Sequence, residues 1–240
     1  MLSRDSLEKF TNQGQTSVQN VVREYCQHLF LSFLYQNPGS ERLLFKGGTA
    51  LRLILRSPRF SEDLDFTGMN ISREEAEELF TNTLANVEKT GMRVHIEEAK
   101  ETTGGYLGIA VFEAYAMKIN LQIEVSLRKG KKVKAARTLI VNDYLPAYTL
   151  VHLSLEDIIA GKIEALVDRH KPRDFYDYFF LLSGDYPAAR TKENLKSVLK
   201  LLQKERANFP AELKKFLPAS QAAQLRQFKS ILEEKILTYL

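Results

Sequence analysis

Phe45-Lys46-Gly47-Gly48-Thr49 and Asp63-Leu64-Asp65-Phe66 are the stretches that decide the fold of this chain. Asp63 follows Thr49 by fourteen positions. Two glycines after an apolar run let the backbone approach a phosphate closely. Two carboxylates at i and i+2 on a strand point to one face, because strand side chains alternate. A phosphate-binding turn beside paired carboxylates predicts a site that holds Mg²⁺ or Mn²⁺ against a nucleoside triphosphate.

The composition is that of an ordinary folded protein with room for one large core or two modest ones. The chain has 240 residues, of which 44% are hydrophobic and 27% charged. Its net charge of +4 is a weak indication of a polyanionic partner. The single cysteine, Cys26, excludes an internal disulfide and favours a reducing compartment. Residues 1–5 lack the apolar region of a secretory signal, and the apolar runs are too short to span a membrane. A cytoplasmic protein without a membrane partner is therefore expected.

Periodicity divides the chain into a mixed part and a helical part. Helical spacing or capping residues predict helices over 17–35, 49–55 and 72–90, and apolar runs or alternation predict strands over 42–46, 63–66, 93–99, 108–114, 117–127, 139–141 and 149–153. From Ser154 onward the patterns are helical, over 154–170, 174–182, 191–206, 210–216 and 219–239. We predict an α/β domain with an N-terminal helix over 1–153 and a helical domain over 154–240.

Asp63 and Asp65 are the leading candidates for metal ligands, and Glu124 is the natural third carboxylate. Like charges on one face repel, so a pair of aspartates favours a cation between them. Glu124 lies on the polar face of the 117–127 strand and would join them if that strand lies beside 63–66. The alternatives are two solvated aspartates beside a turn or capping a helix, and a solvent-facing glutamate on a one-sided sheet.

A second polar cluster lies in the helical part. Lys162 and Arg169 share a helical stripe, and Arg173 and Asp174 begin the next helix. The simpler explanation makes Asp174 an N-cap and Arg173 an ion-pair partner. The basic run 128–134, with Arg137 beyond it, could bind a nucleic-acid backbone or could form a solvated hairpin.

The glycine pair has a simpler explanation too, since a tight turn from strand to helix also needs glycine. It matches neither the dinucleotide-binding nor the Walker A pattern, and Lys46 precedes the glycines instead of following them.

Taken together, the motifs resemble a known family. Lys-Gly-Gly-Thr-Ala-Leu-Arg-Leu from Lys46 and Arg-Phe-Ser-Glu-Asp-Leu-Asp-Phe from Arg59 resemble the AbiEii/AbiGii nucleotidyltransferase-like toxins of type IV toxin–antitoxin systems. The stretches 162–169 and 173–177 match the second signature of that family. The resemblance covers about residues 45 to 180.

The resemblance implies an α+β fold of the polymerase-β nucleotidyltransferase type, with a small mixed sheet, flanking helices and a C-terminal helical domain. The implied catalytic residues are Asp63, Asp65, Glu124, Lys162 and Asp174, and the first three would also hold the metal. The implied nucleotide-binding residues are Lys46, Gly47, Gly48, Thr49, Arg169 and Arg173, of which the two arginines match less closely. Glu124 stands where this branch often has Asp, which keeps the charge and lengthens the side chain.

The expected activity is metal-dependent transfer of a nucleoside monophosphate from an NTP to an acceptor. By analogy with the family, the acceptor is an RNA 3′ end such as that of tRNA, and a cognate antitoxin acts without tight binding. Two alternatives remain open from the sequence. One is transfer to a small molecule or a protein side chain, and the other is a non-catalytic nucleotide-binding module that acts through a partner.

Overall fold

A computed structural model describes residues 1–128, 133–221 and 224–240 of the chain. Its α-helices are α1 (Arg4–Gly14), α2 (Val18–Leu34), α3 (Gly47–Leu55), α4 (Arg73–Glu88), α5 (Leu155–Arg169), α6 (Pro172–Ser183), α7 (Lys192–Lys204), α8 (Phe209–Leu213) and α9 (Phe228–Tyr239). Its strands are β1 (Leu43–Lys46), β2 (Leu64–Met69), β3 (Arg93–Thr102), β4 (Gly105–Ala114), β5 (Met117–Arg128), β6 (Ala135–Ile140) and β7 (Tyr148–Leu153). Four residues of the basic run, 129–132, lie outside the described residues.

The strands form one mixed sheet in the order β3-β4-β5-β2-β1-β7-β6. At its centre, β1 runs antiparallel to β2, while β2 runs parallel to β5 and β1 parallel to β7. The outer pairs are antiparallel hairpins. The predicted mixed sheet is thus confirmed, and its seven strands over the described residues correspond to the seven stretches predicted from the sequence. Described residues after Leu153 form only helices and turns.

Most predicted elements are present because their signals are local. The Ser72–Glu75 capping box opens α4, with both of its reciprocal hydrogen bonds formed. The prediction of one helix over 219–239 is wrong, since α9 begins only at Phe228. Short 3₁₀ turns precede it and carry Leu225 into the core. The helical spacing of Leu225, Phe228 and Leu232 hid this break. Helix α1 was not predicted.

One continuous cluster of buried apolar side chains extends from Leu7 to Ile236. It contains residues from both predicted domains, so the division at 153/154 stays a prediction. Among the described residues, no helix has the length and hydropathy that crossing a bilayer requires.

Candidate active site

The turn from β1 into α3 depends on two glycines. Gly47 has φ +86°, in the region that L side chains rarely adopt, and a Cβ there would overlap the Asp65 carboxylate. A Cβ on Gly48 would lie 2.7 Å from Arg59 Nη2 and 2.8 Å from Ser61 Oγ. The first N–H groups of α3 have no partner within the helix, as at any helix N-terminus. The turn therefore offers donors and a bare backbone to an anion.

Thr49 is fully buried in the first turn of α3. Its hydroxyl donates a hydrogen bond to the main-chain carbonyl of Asp63. The side chain predicted to contact a phosphate is thus engaged with the protein itself, and it fixes the segment that leads into β2. Only the backbone N–H of Thr49, at the start of α3, is still predicted to bind phosphate.

The three predicted carboxylates lie on, or directly before, the two central parallel strands β2 and β5. Asp65 on β2 is paired in register with Glu124 on β5, and Asp63 immediately precedes β2. Asp63 and Asp65 are half-buried, while Glu124 is exposed. Burial raises the pKa of Asp63 to about 6, and the nearby Asp65, Glu62 and Glu124 carboxylates add to the effect. The sequence predicts that Glu124 joins the aspartates if the two strands are neighbours, and β2 and β5 are neighbours.

This acidic group suits a hard divalent cation. Its donors are all carboxylate oxygens, the ligands that Mg²⁺ prefers, and Mg²⁺ needs only one or two of them when phosphates and water complete its shell. In the part of the chain that the structure describes, no three His, Cys, Asp or Glu residues form a ready-made metal site. The role of Asp63, Asp65 and Glu124 as metal ligands therefore stays a prediction.

On the other side of the glycine turn, α5 presents Lys162. Its Nζ lies 3.4 Å from the point that a Gly48 Cβ would occupy. The ammonium group is 2.9 Å from Asp177 Oδ2 on α6, and Arg59 donates to both oxygens of the same carboxylate at 2.7 and 2.8 Å. Burial alone would raise the pKa of Asp177, but the two cations hold it below its ordinary value.

Arg59 and Asp177 are functional candidates to which the sequence assigned no role. Asp177 follows Asp174 by three residues, so a shared face of α6 was the available signal. Arg59 begins a motif that carries the family resemblance, but no local pattern indicated its partner, which lies 118 positions away. Both side chains are almost completely buried. They place a fixed charge network directly beneath the glycine turn.

The remaining predicted residues surround α6. Arg169 Nη2 donates to Asp174 Oδ1 at 2.6 Å. Asp174 is buried, and its other oxygen has no hydrogen-bond partner among the described residues. The N-cap of α6 is Lys171, so the alternative that made Asp174 the N-cap is wrong. Arg173 is close enough to Asp63 to lower the pKa of that carboxyl.

A cavity of about 390 Å³ joins the two halves of the site, and we call it the α5 cleft. Its polar lining includes Lys46, Gly47, Asp65, Lys162 and Arg169. Lys46 lies opposite Asp65 on β1 and donates to Ser126 Oγ at 3.2 Å. Helix α5 contributes Lys162 and Arg169 to the lining together with the acids Asp157 and Glu164, and the sheet contributes Lys46 and Asp65. Six predicted residues lie outside the lining: Gly48, Thr49, Asp63, Glu124, Arg173 and Asp174.

The glycine turn into α3, with Asp65 on the next strand of the mixed sheet and Asp63 just before it, is the arrangement that the sequence predicts for a nucleotidyltransferase. The chain belongs to the nucleotidyl transferase AbiEii toxin family of type IV toxin–antitoxin systems, whose model matches residues 29–238. The resemblance seen in the sequence is thus confirmed, and membership of such a family implies a cognate antitoxin.

Two solved structures from Helicobacter pylori share the fold. One is described as a "putative nucleotidyltransferase"; it is 19% identical, with a TM-score of 0.56 over 93% of this chain and 99% of its own. The other, JHP933, is 20% identical, with a TM-score of 0.56 over 93% of this chain and 95% of its own. No curated protein matches the chain.

Proposed function

We propose that this toxin transfers a nucleoside monophosphate from an NTP to the 3′ end of an RNA, with tRNA as the acceptor, in a reaction that depends on Mg²⁺. The observation that carries the proposal is the α5 cleft, where the glycine turn, Asp65 and Lys162 face one space. Asp63 lies two residues from Asp65, at the entrance to β2. The groups that could bind phosphates and the carboxylates that could bind a metal therefore lie close together.

The phosphates of the NTP would bind between the glycine turn and the Lys162 side chain of α5. The N–H groups at the start of α3 would donate to phosphate oxygens, since Gly47 brings the backbone of the turn to the edge of the cleft. Lys162 and Arg169 supply positive charge from α5. Lys162 is held in place by Asp177, so its ammonium group is oriented before the substrate arrives.

In the transfer step, the acceptor hydroxyl oxygen forms a bond to the α-phosphorus. The bond from that phosphorus to the oxygen bridging to the β-phosphate breaks, and pyrophosphate leaves. Asp65 or Glu124, aligned across β2 and β5, accepts the hydroxyl proton. Asp63, Asp65 and Glu124 would hold Mg²⁺, which when bound neutralises charge on the α-phosphate and the leaving group. Lys162 offsets the remaining negative charge.

The biological setting follows from these substrates. NTPs and tRNA meet in the cytoplasm, so we place the reaction there. The antitoxin would act without tight binding to the toxin, which leaves the α5 cleft open to its substrates.

The experiment follows labelled NMP into candidate acceptors. Each of the four NTPs, labelled on the α-phosphate, is incubated with the protein and with total RNA, a protein mixture or small molecules such as aminoglycosides. We expect label in tRNA-sized RNA, Mg²⁺-dependent and absent for Asp65→Asn. Label in protein or in small molecules would show that RNA is not the acceptor. Absence of transfer with all four NTPs would overturn the proposed activity.

A binding readout that needs no turnover accompanies this assay. Mg²⁺ with the preferred NTP should raise the melting temperature of the wild type but not of Asp65→Asn, because a ligand stabilises only the state that binds it. The substitution keeps the shape of the side chain and removes its charge. Equal stabilisation of both proteins would show that Asp65 does not hold the metal–nucleotide complex.

A further inference from the structure

A second cavity opens at the other end of the segment that carries the aspartates. It has a volume of about 280 Å³, shares no residue with the α5 cleft, and we call it the α6 cavity. It is lined by Glu62, Lys171, Arg173, Glu212, Lys215 and Phe216. Glu62 directly precedes Asp63, so the two cavities lie at opposite ends of residues 62–65. A group bound in the α6 cavity would lie next to the predicted metal ligands.

Among the residues that the structure describes, the cations of the α6 cavity form no close ion pair, although Arg173 lowers the pKa of the nearby Asp63. Within the described ranges, no carboxylate oxygen lies within 4.0 Å of the charged nitrogens of Lys171, Arg173 or Lys215. Of the two acids in the lining, Glu62 is paired with Arg23 at 3.5 Å, which leaves Glu212 as the opposing charge. The cavity therefore has a surplus of positive charge that its own residues do not neutralise.

These cations come from separate elements that the fold holds together. Lys171 is the N-cap of α6, and Lys215 lies in the 3₁₀ turn after α8. Asn20 on α2 donates to the main-chain carbonyl of Lys215 at 2.8 Å and anchors that turn. The Lys215 ammonium group lies 4.5 Å above the Phe216 ring. Two lysines that are distant in sequence thus flank one opening.

We infer that the α6 cavity is the acceptor site, and that Lys171, Arg173 and Lys215 bind the phosphodiester backbone of the RNA whose 3′ end is extended. The inference rests on the proposed function. The reaction brings two polyanions to the same carboxylates. The α5 cleft has its own cations, Lys46, Lys162 and Arg169, for the triphosphate. The second polyanion needs a second cationic surface at the other end of the acids, and the α6 cavity is that surface.

The test compares Lys171→Ala/Lys215→Ala with the matched control Lys196→Ala/Lys200→Ala, which removes two exposed lysines from α7. Binding of labelled total tRNA is measured from about 50 to 200 mM salt, together with the KM values for tRNA and for the NTP. We expect the first variant to bind tRNA on the order of tenfold more weakly, with the log–log salt slope reduced by about two. Its KM for the NTP should be unchanged, and the control should match the wild type.

A variant that should strengthen tRNA binding tests whether misfolding explains the weaker binding of the lysine variant. Glu212→Gln removes the one unpaired acid of the lining, so it should tighten tRNA binding, which a damaged protein would not do. Equal tRNA binding by the Lys171/Lys215 variant and the wild type, or an equal loss in the control, would overturn the inference. A raised KM for the NTP alone would assign the cavity to the triphosphate instead. Absence of nucleotide transfer by the wild type would refute the proposed function itself, a separate result.

Discussion

At the scale of single residues, two glycines with similar backbone angles have different surroundings. Gly47 has φ +86° and Gly91 has φ +83°, but a Cβ on Gly91 would meet nothing within 4 Å. A side chain at Gly47 would meet the Asp65 carboxylate. A substitution at Gly91 thus reports the free-energy cost of the positive φ alone. A substitution at Gly47 reports that cost together with the clash with Asp65.

We therefore expect Gly91→Ala to lower the free energy of unfolding by about 1 kcal/mol, the usual strain of a positive φ. Gly47→Ala should lower it by at least about 1 kcal/mol more and should abolish the stabilisation by Mg²⁺ and NTP, because Asp65 is displaced. Urea denaturation with and without these ligands measures both effects. Similar losses for the two variants would mean that Gly47 only forms a turn.

The raised pKa of Asp63 predicts a specific dependence of stability on pH. Its ordinary value is 3.8 and its value in the fold is about 6, so between these limits the folded protein binds more protons than the unfolded chain. The free energy of unfolding therefore falls as pH rises from about 4 to about 6. Asp63→Asn removes the charge that burial and the neighbouring acids disfavour.

In the presence of EDTA, Asp63→Asn should be more stable than the wild type at pH 7 to 8 by about 1 to 3 kcal/mol, and the two should converge near pH 4. Denaturation curves across this range test the expectation. Asp168→Asn, at an exposed position of α5, serves as control and should change stability by less than about 0.5 kcal/mol. A wild type as stable as Asp63→Asn at pH 8 would contradict it.

At the scale of elements, one carboxylate links three parts of the fold. Asp177 on α6 receives Lys162 from α5 and Arg59 from the segment before β2. The side chains of Asp177, Arg59 and Lys162 are only 1%, 4% and 10% exposed. Removing the Asp177 carboxylate would leave two buried cations without a partner, while removing Lys162 leaves the bidentate pair between Asp177 and Arg59 intact.

Asp177→Ala should therefore lower the free energy of unfolding by about 3 to 5 kcal/mol, the cost of breaking a buried ion pair. Lys162→Met should cost clearly less stability, yet reduce nucleotide transfer on the order of a hundredfold, because it removes charge that offsets the transition state. Denaturation and initial rates on the same preparations separate the two effects. A Lys162→Met protein that transfers nucleotide at the wild-type rate would remove α5 from the active site.

At the scale of the whole molecule, the helical part and the mixed part are joined by several contacts. Phe60 N donates to the Phe216 carbonyl at 2.8 Å, and Ala219 N donates to the Gln15 carbonyl at 2.8 Å. The Arg59–Asp177 pair crosses the same boundary. The apolar core also extends across it. These contacts give the predicted boundary at 153/154 a direct test.

We expect residues 1–153 alone not to fold, because their apolar surface against α5 and α6 would face water and Arg59 would lose its partner. Circular dichroism and limited proteolysis of the fragment, with the full chain as control, measure this. The full chain should unfold in one cooperative transition by both far-UV and near-UV signals. A fragment with a cooperative melt of its own would instead establish two domains.

The sequence by itself determined the features that depend on neighbouring residues. The glycine turn, the alternation of β5, the capping box of α4 and the two aspartates of the β2 segment are local signals, and the motifs sufficed to indicate the family. The candidate residues of the α5 cleft, including Lys46 and Lys162, were predicted in the same way, partly through the resemblance.

Only the tertiary structure decided which distant side chains meet. Arg59 and Asp177 are 118 residues apart, and Lys171 and Lys215 line one cavity from separate elements of the helical part. The sequence predicted Thr49 as a phosphate ligand, but its hydroxyl donates a hydrogen bond to the Asp63 carbonyl. Periodicity reports which face of an element is apolar, whereas the partners of a buried charge depend on how whole elements pack, and no local pattern encodes that.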